Sequence, residues 1–375
     1  MKKIGLTTSI ALALSATGAN AANYSVDGRG DAMGGTGVVS GDFLSAPFYN
    51  PALAALYRRN DNSGMIIPAV GLAYEDQGDM LDTITSLADT TITDPAEADA
   101  LLEKLNNGQL SFDIGIAAAF AIPNSFLSMN VYGKAYTESF ATPIIQTTGS
   151  SEDKVNNAEL GILSVGVTEL GLTMAKYYTL FGQHTSFGIT PKIQRVYSLN
   201  TIQKMSDFSF DIFNSATGET AFNMDAGAVW FYGPWRVGVS AMNIFGRDIE
   251  TNSATSAAMG GDVSYTYKLQ PNYTVGAGLV GDYYAFSIDY DLVEREKFVG
   301  VNDNEQMLRA GLELDLMRQI QFRAGYRYNL AHEDNEGTMT AGIGLTPLGI
   351  ITMDIGASYT NSKSMGIYLN FLGNY

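Results

Sequence analysis

The amino-acid sequence predicts an all-β fold, a transmembrane antiparallel β-barrel of about 14 strands with an N-terminal plug segment and a short helix in the first external loop. Apolar and polar residues alternate through segments of about 10 to 12 residues, near the roughly 9 to 11 that a tilted strand needs to cross a bilayer. Long connections mostly alternate with short ones, and glycine and aromatic residues are spread throughout the chain. A soluble β-sandwich also alternates, but its strands are usually only about five or six residues long.

Residues 1–21 form the first predicted domain, a signal peptide. Met1-Lys2-Lys3 is a basic n-region, Ile4 to Ala16 is apolar, and Ala19-Asn20-Ala21 is a small-residue cleavage site. The apolar run of about 13 residues is too short for a transmembrane helix, which needs roughly 20. We therefore expect an exported protein whose mature chain begins near Ala22.

The composition argues against several classes of protein. The 22 basic and 39 acidic side chains give a net charge of −17, and loss of Lys2 and Lys3 with the leader makes it −19. Such a charge argues against nucleic acid as a partner. There is no cysteine, so neither a disulfide framework nor a thiolate metal site is available. We expect no cofactor and no bound metal.

Residues 22–64 are the second predicted domain, a plug that we call the hatch. The stretch Gly28-Arg29-Gly30-Asp31-Ala32-Met33-Gly34-Gly35-Thr36-Gly37 precedes Phe48-Tyr49-Asn50-Pro51-Ala52-Leu53. Glycines let the backbone turn tightly in a confined lumen. A phosphate loop would need a preceding strand and a Gly-Lys-Ser/Thr ending, which this stretch lacks. The candidate hatch residues are Gly28, Arg29, Gly30, Gly34, Gly35, Asn50, Pro51 and Ala52.

Residues 65–375 are the third predicted domain, the barrel. The predicted strands are Met65 to Glu75, Leu110 to Ile122, Ser125 to Glu138, Ala158 to Tyr177, Gln183 to Leu199, Thr220 to Tyr232, Trp235 to Phe245, Asn272 to Val280, Tyr284 to Leu292, Gln306 to Leu316, Gln319 to Leu330, Glu336 to Thr346, Ile350 to Thr360 and Ser364 to Tyr375. The fourth and fifth are long enough to need a bulge or to extend beyond the membrane.

The lengths of the connections set the orientation of the barrel, because bacterial barrels have short periplasmic turns and long external loops. Short turns include Pro123-Asn124, Gly233-Pro234 and Met317-Arg318. The long first external loop contains Asp94-Pro95-Ala96-Glu97 followed by Leu101, Leu102 and Leu105. This pattern predicts a capped amphipathic helix. The helix either covers the barrel mouth or packs on its neighbours for stability alone.

Charged residues lie on the polar face of three consecutive predicted strands. In Gln319 to Leu330, for example, Ile320 and Phe322 alternate with Gln321 and Arg323. Parity therefore predicts a charged lumen cluster of Asp289, Asp291, Arg309, Glu313, Asp315, Arg323 and Arg327. The cluster either binds the polar head of a solute or braces the barrel wall as an ion-pair network.

The C-terminal residues alternate through Ile367, Leu369, Phe371 and Gly373 to Tyr375. A terminal strand of this form is similar to the signal that the barrel insertion machinery reads. We therefore expect the outer membrane of a Gram-negative bacterium as the location, with outer-membrane lipid and the insertion machinery as partners.

The motifs of the hatch resemble the N-terminal region of the FadL-like family of outer-membrane channels for hydrophobic compounds, in which a Gly/Ala-rich segment ending in Asn-Pro-Ala plugs the barrel. The chain also resembles the TraF-type branch, named for the F plasmid transfer operon. That likeness is carried by Val167-Thr168-Glu169-Leu170-Gly171, Thr190-Pro191-Lys192 with Gln194-Arg195-Val196, and Arg323-Ala324-Gly325-Tyr326-Arg327. The resemblance implies a channel or a role in conjugal transfer. The charged inward positions of three strands depart from a fatty-acid pocket.

Three functions follow as hypotheses: gated passage or binding of a small hydrophobic or amphipathic solute, an envelope scaffold that contacts conjugation or secretion components, and a hydrolase. The hydrolase is the least favoured, and we expect no enzyme. His184 begins a strand at the periplasmic side and His332 lies in an external loop, so a membrane core of ~30 Å separates them. His332-Glu333-Asp334 is interpreted as a solvated loop, because no nucleophile is marked by spacing. Asn302-Asp303-Asn304-Glu305 has oxygen ligands suited to calcium without EF-hand spacing, and is interpreted as a solvated turn.

Overall fold

The computed structural model describes residues 27–57, 63–77, 79–89, 91–106, 108–207, 217–301, 303–332, 336–347 and 351–374. Fourteen antiparallel strands of this part of the chain close into a barrel, in which the last strand pairs with the first. The predicted signal peptide, as well as Glu333 and Asp334, lies outside the described residues. The predicted fold class is therefore confirmed.

The barrel consists of β1–β7 and β12–β18, and β8–β11 form two small two-stranded sheets in an external loop. The strands are β1 Gly64–Gln77, β2 Gln109–Ile122, β3 Ser128–Ile144, β4 Glu159–Leu180, β5 Gln183–Lys204, β6 Thr217–Tyr232, β7 Trp235–Met242, β8 Arg247–Glu250, β9 Ala254–Ser256, β10 Gly261–Val263, β11 Thr266–Leu269, β12 Asn272–Val280, β13 Tyr284–Asp291, β14 Met307–Leu316, β15 Ile320–Asn329, β16 Thr338–Leu345, β17 Ile351–Asn361 and β18 Ser364–Asn374.

Several strand ends differ from the sequence prediction: β3 ends at Ile144 and β5 at Lys204, beyond the predicted ends, and β7 ends at Met242, before the predicted end. The predicted end of the seventh strand at Phe245 was wrong. The backbone of Asn243 has a φ of 55° and turns the chain out of the sheet directly after β7. The pairing of β4 with β5 keeps one register along its whole length, so these 22-residue strands extend beyond their neighbours without a bulge. A register shift occurs instead in β1, between Ile66 and Ala69.

Helices lie in the hatch and in the external loops. The hatch contains α1 (Gly28–Ala32), α2 (Ala46–Tyr49) and a 3-10 turn (Pro51–Ala55). The loops contain α3 (Met80–Asp89), α4 (Pro95–Asn106), α5 (Ser151–Asn156) and a 3-10 turn (Met205–Asp207). The predicted helix of the first external loop is confirmed as α4, where Asp94 Oδ1 accepts from the amide of Ala96 at 3.0 Å. Within the described ranges, the helices are all too short or too polar to span a bilayer.

The barrel is apolar outside and polar inside. On β15, Phe322 and Tyr326 are 47% and 44% exposed, whereas Arg323 and Arg327 are buried in the lumen. The same outward band of apolar side chains continues on β14 with Leu312 and on the other strands. This is the reverse of a soluble protein, and it is the surface that a barrel in lipid requires.

The long loops fold over one end of the barrel, which is called the external end after the predicted orientation, and the end with the short turns is called the periplasmic end. Met80, Leu105 and Met205 from the loop helices and turns pack with Leu160 and Ile162 at the external end of β4. A second cluster joins Tyr267 and Phe298 from two other loops to wall residues such as Val165. The loops therefore enclose apolar space at the external mouth.

Candidate functional site

The described hatch residues, 27–57, lie inside the barrel and pack against its inner wall. The wall provides room at glycines that face one another across neighbouring strands. Gly311 pairs with Gly325, and a Cβ atom on Gly325 would lie 2.2 Å from the amide nitrogen of Gly34. Further facing pairs against the hatch are Gly188 with Gly227, Gly238 with Gly276, and Gly342 with Gly356. Inward glycines thus let the hatch backbone approach the wall more closely than any side chain would permit.

Wall side chains also bind the hatch backbone. The Asp289 carboxylate accepts from the amides of Gly37 and Val38 at 2.7 and 2.9 Å. Thr340 Oγ1 donates to the carbonyl of Ala32 and accepts from the amide of Gly34. Further bonds run from Asn130 Nδ2 to the carbonyls of Phe43 and Leu44, and from Ser240 Oγ to the carbonyl of Tyr49. The hatch is therefore held from several sides of the barrel.

The Asn-Pro-Ala motif forms the end of the hatch. The Asn50 side chain accepts from the amide of Ala52 at 3.0 Å and so caps the 3-10 turn that begins at Pro51. Its Nδ2 donates to the carbonyls of Val38 and Val239. One carboxamide thus connects the 3-10 turn, the earlier part of the hatch and the wall.

The Gly-rich motif makes a tight turn in the lumen. Gly34 and Gly35 have φ values of 73° and 81°, a backbone conformation that favours glycine. Gly28 and Gly30 lie in α1, which Asp27 caps by accepting from the amides of Arg29 and Gly30. All eight candidate hatch residues therefore lie within the barrel. That the segment plugs a pore stays a prediction.

Arg29 connects the hatch to a row of ion pairs on the wall. Its guanidinium donates to both Glu313 oxygens at 2.9 Å, a bidentate pair. Glu313 also accepts from Arg323 Nε at 2.6 Å, and Arg323 Nη1 donates to Asp354 Oδ1 at 2.6 Å. Charges of the hatch, β14, β15 and β17 therefore alternate in sign along one chain of contacts.

The structure does not bring the seven predicted lumen residues into a single cluster. Arg309 forms a second ion-pair group, donating to both oxygens of Asp291 at 2.8 and 3.1 Å, with Glu305 within 3.8 Å. Asp289 binds the hatch amides, and Asp315 lines a cavity at the periplasmic end. Arg327 lies next to Arg309 across the strands and is buried. The period-two alternation along each strand placed all seven residues on the lumen face, but it could not show which of them contact one another.

Sequence reasoning missed a buried polar group on the opposite side of the lumen. Lys192 Nζ lies 3.5 Å from Glu169 and 3.0 Å from Asp225, and Gln194 Nε2 donates to Glu169 at 2.8 Å. These residues come from β4, β5 and β6. The only signal was that Glu169, Lys192 and Gln194 lie within the family motifs, while Asp225 lies in none of them, since pairing across strands requires the register.

Asn302 lies outside the described residues, and for Asp303 and Glu305 the interpretation as a solvated turn was wrong. Asp303 is 4% exposed and accepts from the amide of Phe298 at 3.0 Å, while Glu305 is fully buried beside Arg295 and Lys297. Burial raises the pKa of Asp303 to about 7, against a smaller opposing effect of Lys297. These contacts of Asp303 and Glu305 hold the loop between β13 and β14 in place.

Pockets lie near both ends of the barrel. A small pocket of about 30 Å³ lies beneath the external loops and is lined mostly by apolar side chains, including Phe140, Ile162 and Tyr265. A cavity of about 720 Å³ lies at the periplasmic end, where the turns Gly233-Pro234 and Gly281-Asp282 border it and hatch residue Tyr57 lines it. The hatch therefore forms part of the lining of the larger cavity.

The two histidines are far apart in the fold. His184 lies at the periplasmic end, paired across the β4–β5 hairpin with Thr179, and its ring contacts the Tyr177 hydroxyl and stacks on Phe231. His332 follows β15 in an external loop, where the chain runs on to residues outside the described part. The structure therefore places no second histidine near either of them.

The comparisons with known proteins agree with this architecture. The sequence profile of the family described as "F plasmid transfer operon, TraF, protein" matches residues 47–291, which is more than half of the chain. The chain belongs to the TraF family. A search of the curated proteins found no match.

Several solved structures share the fold of this TraF-family chain. The Ralstonia pickettii toluene transporter TbuX is 11% identical with a TM-score of 0.57, covering 92% of this chain and 97% of TbuX. The P. putida toluene transporter TodX is also 11% identical, with a TM-score of 0.52 and 93% and 98% coverage. A TodX mutant described as a monoaromatic hydrocarbon channel reaches 0.58, at 11% identity and 92% and 98% coverage. The chain therefore has the same barrel fold as these toluene transporters.

Proposed function

We propose that this protein is a passage through the outer membrane for small hydrophobic or amphipathic solutes, and that the hatch closes it. The observation that carries the proposal is the position of the hatch inside the barrel, packed against the wall and bordering a large cavity that lies at the periplasmic end. A continuous pore requires the hatch to move or a path to open beside it. The names of TbuX and TodX as toluene transporters support a solute of this size and polarity.

The contacts of the hatch indicate how the passage is kept closed. Its backbone lies on wall glycines, and its amides and carbonyls are bound by Asp289, Thr340, Asn130 and Ser240. Apolar hatch side chains pack on the wall as well, Phe48 against Tyr132 and Leu53 against Val229, so the hatch is held by polar bonds, close approach and apolar contacts together. Weakening a few of them should shift the hatch without unfolding the barrel, whose strands pair independently of it.

The test adds methyl groups to the barrel wall at two glycines where the hatch backbone lies against it. Gly311→Ala combined with Gly325→Ala places Cβ atoms 2.4 Å from the carbonyl oxygen of Met33 and 2.2 Å from the amide nitrogen of Gly34. Both clashing atoms are backbone, so the hatch must shift. We expect larger single-channel conductance in planar bilayers and faster uptake of toluene into proteoliposomes.

The matched control is Gly133→Ala combined with Gly166→Ala, where the nearest atoms to the new Cβ are 3.9 and 3.8 Å away. This pair adds the same number of methyl groups to strands without touching the hatch, and should behave like the parent. If limited proteolysis shows a displaced hatch while conductance and toluene uptake stay at the parent level, the passage proposal fails.

Family membership supports a second candidate, an envelope scaffold for conjugal transfer, because the family description names the F plasmid transfer operon. The ion-paired lumen fits a rigid, closed barrel as well as it fits a gated one. The scaffold predicts reduced mating frequency on deletion of the gene and co-purification of secretion components, with no change in toluene uptake. The opposite pattern would favour the passage.

Catalysis is not part of the proposal. The structural neighbours named above are described as transporters or a channel, and general acid–base chemistry needs a base within hydrogen-bond reach of a reacting group. His184 contacts the Tyr177 hydroxyl at the periplasmic end of the wall. An esterase assay on the purified barrel, with His184→Ala as comparison, would detect a hydrolase.

A further inference from the structure

The cavity at the periplasmic end contains an arginine without an acidic partner. Arg236 is the second residue of β7, close to the periplasmic turn, and it faces inward. Its Nη1 donates to the carbonyl of Val39 at 3.0 Å. No carboxylate of the described residues forms an ion pair with it. The other arginine of the cavity, Arg29, is bound to both oxygens of Glu313. The guanidinium of Arg236 therefore has N–H donors that are bound by no carboxylate of the described residues.

The lining around Arg236 is rich in aromatic rings. Tyr57 and Phe43 line the cavity from the hatch, and Tyr177, Phe231 and Tyr284 line it from the wall. Tyr177 and Phe231 lie against each other, with ring centroids 5.9 Å apart. Planar faces of this kind pack well against an aromatic ligand, and the volume of about 720 Å³ is in the range of small-molecule sites.

We propose that this cavity binds aromatic anions, with the carboxylate or sulfonate of the ligand at Arg236 and its ring among the aromatic side chains of the lining. The planar guanidinium fork suits a carboxylate, because it can donate two parallel hydrogen bonds. The inference rests on the proposed passage, since it names the class of solute that pauses at the periplasmic end. A solute of this class differs from a neutral hydrocarbon because it must carry a negative charge.

Four carboxylates also line the cavity, Asp42, Asp282, Glu313 and Asp315. Glu313 is paired with Arg29 and Arg323, and Asp42 accepts from the amides of Leu44 and Ser45. Asp315 lies on β14, and its Oδ1 has no hydrogen-bond partner among the described residues. A carboxylate in the cavity repels an anionic ligand, so its removal should strengthen binding. The affinity should consequently move in opposite directions when Arg236 and Asp315 are neutralised separately.

The test is calorimetric titration of the full-length barrel in detergent with 1-naphthoate, against the neutral isostere 1-naphthylmethanol and against acetate. We expect naphthoate to bind most tightly. Arg236→Gln should weaken it about ten- to a hundred-fold, the loss typical of a charge-assisted contact. Arg236→Lys should retain part of the affinity, and Asp315→Asn should increase it.

Arg318→Gln is the charge-matched control. Arg318 lies in the turn after β14, next to the Tyr283 ring and outside the cavity lining, so its loss should leave naphthoate binding at the parent level. Heat-modifiable migration verifies that each variant is folded, and Arg236→Lys carries the comparison if Arg236→Gln does not fold.

Three results would overturn the site: equal affinity for naphthoate and naphthylmethanol, equal affinity for acetate, or equal effects of the Arg236 and Arg318 variants. The binding measurement is made at equilibrium and needs no transport. If the hatch variants leave toluene uptake unchanged while naphthoate binding depends on Arg236, the passage is rejected and the site remains. If uptake rises while naphthoate does not bind, the reverse conclusion follows.

Discussion

Phe322 and Gln321 are neighbours in sequence and lie on opposite faces of β15. Phe322 points outward and is 47% exposed, whereas Gln321 is buried in the lumen. Gln321 Oε1 and Asp354 Oδ1 both lie near Gly344, at 2.5 and 2.7 Å from where its Cβ would be. Arg323 Nη2 lies 2.8 Å from the same point. A cation at position 321 would thus meet the ion pair of Arg323 with Asp354 in a polar lumen, and one at position 322 would meet lipid.

We therefore expect Phe322→Arg to destabilise the barrel by about 2 to 4 kcal/mol if the residue lies near the bilayer midplane, and Gln321→Lys to cost much less. Reversible unfolding in lipid vesicles, followed by tryptophan fluorescence, measures both. Leu312→Arg on β14 is a second outward variant and should resemble Phe322→Arg. Small and equal costs at the two faces would mean that the outward band is not in contact with lipid.

Asp289 is the wall residue that binds two successive hatch amides, Gly37 and Val38. Loss of the carboxylate leaves two buried N–H groups without an acceptor, at a cost of about 1 to 3 kcal/mol each in the worst case. We expect Asp289→Ala to loosen the hatch while the barrel stays closed.

The measurement is hydrogen exchange of the hatch amides in Asp289→Ala and the parent, with Asp262→Ala in an external loop as control. Asp262 accepts from Thr255 in the two-stranded loop sheet and does not contact the hatch. Unchanged protection of Gly37 and Val38 in Asp289→Ala would show that the other contacts of the hatch hold the segment without the Asp289 carboxylate.

At the scale of the element, the loop between β13 and β14 is organised by Asp303. Burial raises the pKa of this carboxyl from 3.8 to about 7, so the folded loop binds a proton more tightly than the unfolded loop. The stability that protonation contributes is complete below about pH 4 and is lost as the pH rises to about 7. The loop should therefore pack more firmly in mildly acidic medium.

We expect protease cleavage within residues 293–306 to be slower at pH 5.5 than at pH 8 after correction for the protease's own pH profile. Asp303→Asn mimics the protonated side chain and should flatten this dependence. Cleavage that accelerates toward low pH in the parent would contradict the sign of the effect.

The barrel strands and helix α4 could be predicted from the sequence, whereas the shortest elements could not, for a physical reason. A strand such as β15 shows period two over ten residues, which separates it from any helix. The loop strands β8–β11 have only three or four residues each, too few for a period. Helix α5 has a capping box at Ser150 and Asp153, but its six residues carry no apolar stripe. The candidate site was the hardest part to predict, because the pairing of Glu169 with Lys192 depends on the register between strands.

The last strand closes the barrel by pairing with both β1 and β17. Leu372 lies opposite Ile66 and Thr352, and Gly373 lies opposite Met65 and Ile351. Deleting residues 372–375 leaves these edges unpaired at one end of the seam, which lipid does not tolerate. We expect an exported protein that inserts poorly.

Cell fractionation and heat-modifiable migration measure this insertion defect, and an internal deletion in an external loop of equal length serves as control. Normal amounts of heat-modifiable protein in the outer membrane after the C-terminal deletion would show that the closing pairs are dispensable.

At the scale of the whole molecule, one chain of ion pairs connects the hatch with three strands of the wall. Arg29 binds Glu313, Glu313 binds Arg323, and Arg323 binds Asp354. Two of the three bonds involve Arg323, which is 6% exposed and directs Nε and Nη1 at carboxylates of the protein. Its remaining capacity for a solute is small, so we expect the chain to serve stability and to keep the hatch in place.

Arg323→Ala combined with Arg327→Ala tests this expectation. The double variant leaves Asp354 without its cation and Glu313 with Arg29 alone, and breaking a buried pair in this way costs about 3 to 5 kcal/mol. A stabilising role predicts a lower unfolding midpoint, with solute uptake retained by the folded fraction. A solute-binding role predicts an unchanged midpoint and lost binding. Arg318→Ala in the exposed periplasmic turn removes a cation outside the chain and should leave both readouts at the parent level. If the double variant matches the parent in stability, binding and conductance, the two arginines have neither role, and the hatch is held by Asp289, Thr340 and the glycine contacts instead.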